Sequence, residues 1–128
     1  MADSKEKKLL ANDIGRFAED IAAQEYIKKG YVILERNWFL GKTEIDIIAQ
    51  AGDIIVFSEV KARNGQHQSP IEGITPDKRK RMMKAADTYI RNKKGNFDYR
   101  FDFVSFVGTK DSYSLDILED AFLAADFF

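Results

Sequence analysis

Residues 42–61 contain two strongly apolar segments about a Gly52-Asp53 turn, and the pair carries three charges that such segments rarely tolerate. Strands this apolar are normally buried on both faces, so the sheet that holds them needs cover above and below. Charges persist there when they are paired or hold a metal. Asp46 stands among isoleucines on the first strand, and Glu59-Val60-Lys61 closes the second. Together they point to a metal-dependent catalytic site. The competing reading is plainer: a Glu-x-Lys on a solvated strand, and an Asp that hydrogen-bonds a turn.

Strand geometry sharpens the first reading. Side chains alternate, so Glu59 and Lys61 share a face. With Gly52 and Asp53 as a two-residue turn, Ala51 pairs with Ile54, and counting outward places Asp46 opposite Glu59. Opposed residues have Cβ atoms roughly 4.5–5.5 Å apart. Carboxylates that close repel unless a cation lies between them or one is protonated. Mg²⁺, or Mn²⁺ in its place, suits carboxylate and carbonyl oxygens.

The chain of 128 residues reads as one domain over 1–128, with 1–11 as an N-terminal arm. With 45% hydrophobic and 32% charged residues it has the balance of a soluble globular protein. The absence of cysteine excludes disulfides and thiolate zinc sites. No apolar run is long enough for a membrane span, and the N-terminus does not read as a signal peptide, so a cytoplasmic location is expected. The net charge of −1 excludes a nonspecific polycation. Charge is nonetheless segregated: residues 78–94 hold eight Lys and Arg against Asp87 alone, while 111–128 hold only acids. The basic stretch is either a phosphate-binding face or a solvated helix flank.

A helix is expected over 13–29, capped by Asn12 or Asp13 and stopped by Gly30. A strand over Tyr31–Phe39 precedes the hairpin, and a polar loop follows it over 62–75. Thr75-Pro76 opens a second helix running to Asn92. Strands are expected over 99–107 and 113–118, then a short helix from Glu119. A helix between strands permits a parallel crossover, hence a mixed sheet.

Asp46 with Glu59-Val60-Lys61 resembles the PD-(D/E)xK nuclease signature. The ordered set Gly15-Arg16-Phe17-Ala18-Glu19, Thr43-Glu44-Ile45-Asp46-Ile47-Ile48-Ala49, Val56-Phe57-Ser58-Glu59-Val60-Lys61-Ala62-Arg63 and Thr75-Pro76-Asp77-Lys78 resembles the YraN family. These are small bacterial proteins related to archaeal Holliday-junction resolvases. Thr43 stands where the family has Gly, and Gly65–Pro70 departs from its usual Phe-Gly-Ser-Pro. The resemblance covers roughly residues 12–120. It implies an α/β fold with a restriction-endonuclease-like αβββαβ core, a mixed central β-sheet flanked by helices. It also implies a Mg²⁺-dependent endonuclease acting on structured, branched DNA, in recombination or repair.

On that reading Asp46, Glu59 and the Val60 carbonyl hold the metal, and a helical Glu19 joins them. Lys61 stabilises charge at the transition state or orients water, and Glu44 orients a ligand from behind. Arg63, Lys78, Arg79, Arg81 and Lys84 contact phosphates. Glu19 and Glu44 read equally as solvated residues, and Lys61 as an ion-pair partner of Glu59. His67 reads as a loop residue rather than a general base. Asp102 is either a structural cap or a remote site residue. Trp38 and Phe39 read as packing residues before base-stacking ones. Two other functions compete: a nucleic-acid-binding module with little turnover, and a homodimeric or larger repair-complex subunit docked through the apolar tail from Ala121.

Overall fold

Gly52 adopts φ 58°, a left-handed conformation that favours glycine, and the two-residue turn it makes sets the register of the sheet. The computed structural model describes residues 4–63 and 75–121. They form α1 (Ser4–Lys28), β1 (Val32–Leu40), β2 (Thr43–Ala51), β3 (Ile54–Arg63), α2 (Pro76–Asn92), β4 (Asp98–Gly108) and β5 (Tyr113–Leu118). From the turn, β2 and β3 pair antiparallel from Ala51↔Ile54 to Ile47↔Ser58, the register expected from the sequence. β1 adds antiparallel to β2, β4 parallel to β3, and β5 antiparallel to β4. The result is a mixed five-stranded sheet in the order β1-β2-β3-β4-β5. The parallel pair is the one bridged by α2, as a crossover requires.

Two layers explain why β2 and β3 are so apolar. α1 places Ala22, Ala23 and Tyr26 on one face, against Ile47, Ala49, Val56 and Val104. α2 places Met82, Ala85 and Ala86 on the other, against Ile45, Ile48, Ile55, Phe57 and Phe103. The fold is therefore mixed α/β with a helix on each face of the sheet, compatible with a restriction-endonuclease-like core. α2 begins as Thr75-Pro76 foretells, with Thr75 Oγ1 accepting from the Lys78 N–H at 3.1 Å.

α1 corrects one expectation. It starts at Ser4, not at Asn12 or Asp13, and so takes up most of the segment read as an arm. Residues 4–12 are rich in Lys, Leu, Glu and Ala, which favour helix, and contain no Gly or Pro to stop it. Asn12 and Asp13 simply ride on its exposed side. Gly30, at φ 93°, ends the helix as expected, with the Tyr31 N–H returning to the Tyr26 carbonyl at 3.0 Å. His67, most of the 62–75 loop and the tail beyond Ala121 lie outside the described residues.

Regular alternation fails within β2. Ile45 and Ile48 both pack in the α2 layer, while Ile47 packs under α1. Three positions cannot separate two residues on one face of a regular strand. The break falls at Asp46. On β1 its counterpart is Asn37, flanked by the pairs Arg36↔Ile47 and Trp38↔Ile45. Asn37 sits at φ 51°, unusual for a non-glycine residue in a strand.

Candidate metal centre

The β2–β3 ladder stops at Ile47↔Ser58, and the Asp46 side chain takes over from the backbone. Its Oδ2 accepts the Val60 N–H at 2.8 Å. A strand residue's N–H and C=O point to the same side, so the Val60 carbonyl is turned toward β2 as well. The local distortion at Asn37 and Asp46 thus opens a gap in the sheet, with one carboxylate in it and a main-chain carbonyl facing it.

Burial, the largest influence, pushes the Asp46 carboxyl up to about 7. The Val60 N–H opposes this, while Glu19, Glu44 and Glu59 reinforce it. All three acids are therefore within electrostatic reach of Asp46, and Glu44 hydrogen-bonds it. Glu59 is the second carboxylate here, half-buried with its side chain 15% exposed. Its Oε1 meets the Lys78 ammonium from the first turn of α2. Its Oε2 is buried and has no hydrogen-bond partner among the described residues. An orphaned carboxylate oxygen is costly and asks for a cation or a donor.

A cavity of about 230 Å³ covers this point. Its acidic lining is Glu44, Asp46 and Glu59, and its basic lining is Lys42, Lys78 and Arg81. A more open cavity of about 460 Å³ adjoins it through the shared Glu44 and is lined by Gly15, Arg16, Glu19 and Asn37.

The sequence-derived residues divide accordingly. Asp46, Glu59 and Glu44 line one cavity, and Glu19 comes into range from α1. Lys61 is exposed two positions beyond Glu59 on β3. The ammonium that meets Glu59 is that of Lys78, from the first turn of α2. Arg81 and Lys84 are exposed on α2, Arg79 is half-buried, and Arg63 is half-buried at the end of β3. Asp102 lines neither of these cavities; it is buried and bonded to Tyr26 and Arg100.

Asn37 escaped the sequence reading. Its Nδ2 donates to Glu19 Oε1 at 2.7 Å, tying the helical acid to the strand beside Asp46. Asn is one of the few residues that tolerate positive φ, so its place in a strand was the available signal. Asn37→Gly should keep stability, since glycine relaxes the backbone, yet lose the Glu19 tether. Asn37→Ala should lose the tether and in addition cost about 1–2 kcal/mol of stability. Chemical denaturation and Mg²⁺ titration of both variants separate the two effects. A glycine variant with unchanged Mg²⁺ affinity would remove Asn37 from the site.

The donor chemistry fits a hard divalent cation: two carboxylates, a carbonyl, and an oxygen left without a partner. Among the described residues no three His, Asp or Glu side chains are already gathered as metal ligands. A cation held by Asp46, Glu59 and the Val60 carbonyl would need its other positions filled by water or phosphate oxygens, as Mg²⁺ commonly does. No helix among the described residues is long and apolar enough to cross a membrane.

The sequence is similar to those of known proteins. The model of the uncharacterised protein family UPF0102 matches residues 18–106, a span that includes Glu19, Asn37, Asp46, Glu59 and Lys61. A UPF0102 protein of Flavobacterium psychrophilum is 38% identical over 112 residues, covering 87% of this chain and 94% of that protein. A second, from Clostridium botulinum, is 44% identical over 116 residues, covering 86% and 94%. A third, from Clostridium tetani, is 42% identical over 113 residues, covering 85% and 93%. With the family match spanning residues 18–106 and these relatives matched over nearly their whole length, the chain belongs to family UPF0102, the YraN family.

Proposed function

We propose that this chain is a Mg²⁺-dependent endonuclease that hydrolyses phosphodiester bonds of structured DNA. The observation that carries the reading is the partnerless, buried Glu59 Oε2 beside Asp46 in a break of the sheet, rimmed by Lys42, Lys78 and Arg81. Asp46, Glu59 and the Val60 carbonyl would hold the metal. Bound there, a divalent cation supplies Lewis-acid polarisation of the phosphoryl group and lowers the pKa of water. Asp46 must give up its proton to act as a ligand. A divalent cation taking the Glu59 carboxylate would free Lys78, whose ammonium would then be available to a phosphate. Lys61, beyond Glu59, would stabilise charge developing on the phosphorus oxygens. Glu44 and the Asn37-tethered Glu19 would orient water.

A binding module without turnover is the second reading. It is favoured by Lys78, which already neutralises Glu59 from within the chain. Cleavage assays on branched, single-stranded and duplex DNA, with and without Mg²⁺, decide between them. The nuclease reading expects Mg²⁺-dependent cuts that Asp46→Ala removes while much of the DNA binding remains. Binding without cuts in any metal favours the second.

The basic face of α2 supplies a separate test. Phosphate contacts release counterions, so the logarithm of affinity should fall with that of salt by about 0.9 per duplex phosphate contacted. Lys78→Glu with Arg81→Glu should weaken binding to all sequences and flatten that slope. An unchanged slope would make α2 a solvated flank.

A further inference from the structure

At the opposite end of α2 from Glu59, a cavity of about 310 Å³ is lined by Trp38, Tyr89, Asn92 and Lys93. It is at the small end for ligand pockets, a size suited to one flat ring system rather than a peptide. Its rings are fixed in place. Trp38 and Tyr89 meet edge to face, with centroids 5.3 Å apart and planes at 84°. Phe57 braces Tyr89 from the core in the same manner, at 5.8 Å and 85°. Neither Trp38 nor Tyr89 is fully buried. Rings held this way give up little freedom when a planar group stacks on them. The polar lining is an amide with a donor and an acceptor, from the exposed Asn92, and an ammonium from Lys93, 5.4 Å from the Phe97 ring centroid.

The cavity is in line with the metal centre. Lys78, Met82, Ala85, Tyr89 and Asn92 fall on one stripe of α2, spaced four, three, four and three residues apart. At 1.5 Å per residue, Lys78 and Tyr89 are separated by about 16 Å, a few nucleotides of an extended strand. On the other wall, Trp38 pairs with Ile45, the neighbour of Asp46. Beside this stripe α2 exposes Arg81, which also lines the cavity at Glu59, while Lys80, Lys84 and Arg91 stand on the opposite, solvent-facing side of the helix. A polyanion seated on the metal centre and lying along this helix meets Trp38 next.

We propose that this cavity takes one unpaired nucleobase of the DNA strand whose phosphate lies at Asp46 and Glu59. The choice of that strand rests on the nuclease reading above; the base pocket itself does not. A nucleobase matches each wall: a π face for Trp38, a hydrogen-bonding edge for Asn92, and an attached phosphate for Lys93. Glu35 lies near enough to Tyr89 to act with burial in raising its phenol pKa. The phosphate is thereby kept from that side and directed toward Lys93. A fully paired duplex offers no base to the cavity. The preferred DNA is one with an unpaired stretch a few nucleotides from the cut.

Trp38 is the only tryptophan of the chain, so its emission reports directly on stacking. The protein is titrated in EDTA, which prevents cleavage, with three dye-labelled hairpins: one blunt, one with a single-stranded tail, and one whose tail is abasic. Anisotropy of the dye reads binding independently of the indole. The tailed hairpin should quench Trp38 emission by roughly half or more, while the blunt and abasic hairpins bind without comparable quenching. Asn92→Ala with Lys93→Ala should weaken the tailed hairpin by about tenfold and leave the blunt one unchanged, given about 1–3 kcal/mol for a stacked base. Tailed DNA that binds without quenching would overturn the proposal. So would equal quenching by all three hairpins, equal weakening of tailed and blunt DNA, or no DNA binding at all. Quenching by the tail in a protein that never cuts DNA with Mg²⁺ would sink the nuclease reading and leave the base pocket standing.

Discussion

Asp46→Asn should give a protein that is harder to unfold at neutral pH and unable to hold its metal. The physical reason is the position of its carboxyl, raised to about 7 by burial first and by Glu19, Glu44 and Glu59 after it. A buried carboxyl with a raised pKa stabilises the folded chain when protonated and strains it when ionised. The folded chain therefore binds this proton more tightly than the unfolded one, whose value is the ordinary 3.8. The stabilisation is complete below about 4 and is lost as pH rises through about 7. Proton affinity converts at about 1.4 kcal/mol per tenfold, so a shift from 3.8 to about 7 makes the effect at pH 8 on the order of 4 kcal/mol, a Tm rise of roughly ten degrees. Asparagine retains an oxygen for the Val60 N–H and offers its amide to the surrounding carboxylates. Thermal melts of both proteins from pH 5 to 8.5, without metal, should converge in acid and diverge in base. A variant that melts lower at pH 8 would show that the charge on Asp46 is not the strained element.

The same carboxyl links metal binding to pH. Mg²⁺ requires it ionised, so binding should release protons and weaken as pH falls below about 7. Calorimetric titrations in buffers of different ionisation enthalpy read the released protons directly. Mg²⁺ binding by Asp46→Asn equal to that of the parent would place the metal elsewhere.

What the sequence disclosed about this centre was local. The Gly52-Asp53 turn fixes a register by counting, and Asp46 falls opposite Glu59 once the count is made. Thr75-Pro76 announces α2 because a cap and a proline act within one helical turn. Strands apolar on both faces already imply a helix on each side of the sheet. The unread parts depend on distant residues. Lys78 reaches Glu59 across 19 positions, and Asn37 reaches Glu19 across 18. Neither bond follows from periodicity. The break of alternation at Asp46 is invisible for a related reason: Ile45, Ile47 and Ile48 are chemically alike, so the pattern does not say which layer each enters. Extension of α1 back to Ser4 was missed because Asn12 and Asp13 resemble a cap, and a cap signal in the middle of good helix formers does not stop a helix already running.

The largest loss of stability should come from Asp102→Ala, which removes the carboxylate at the middle of a buried network. The Asp102 side chain is 0% exposed. It accepts from Arg100 Nε at 2.9 Å and Nη2 at 3.2 Å, from the Tyr26 hydroxyl at 2.8 Å and from the Asp120 N–H at 3.2 Å. Tyr26 Oη also lies 3.0 Å from Ser58 Oγ; its one proton goes to the carboxylate, so it accepts from Ser58. Burial, and then Asp102, hold the phenol protonated beyond the ordinary tyrosine range. Arg100 gives its remaining reach to the Tyr31 hydroxyl at 2.8 Å. Alanine would take the carboxylate from the half-buried Arg100 guanidinium, leaving it Tyr31 and Glu119, and from two further donors, Tyr26 and the Asp120 N–H, a loss of about 3–5 kcal/mol. Tyr26→Phe removes one bond of the set and should cost about 1–2 kcal/mol. Because the groups share one carboxylate, the double variant should lose less than the sum. The network also bears on the metal centre. Tyr26 lies seven residues beyond Glu19 on α1, the same stripe two turns on, and Ser58 immediately precedes Glu59. Loosening Tyr26 should therefore weaken Mg²⁺ binding although no charge at the metal has changed. Urea unfolding of the single and double variants gives the energies, and Mg²⁺ titration of the folded Tyr26→Phe protein gives the consequence. A loss below about 1 kcal/mol for Asp102→Ala would mean that water replaces the carboxylate and that the network does not anchor α1.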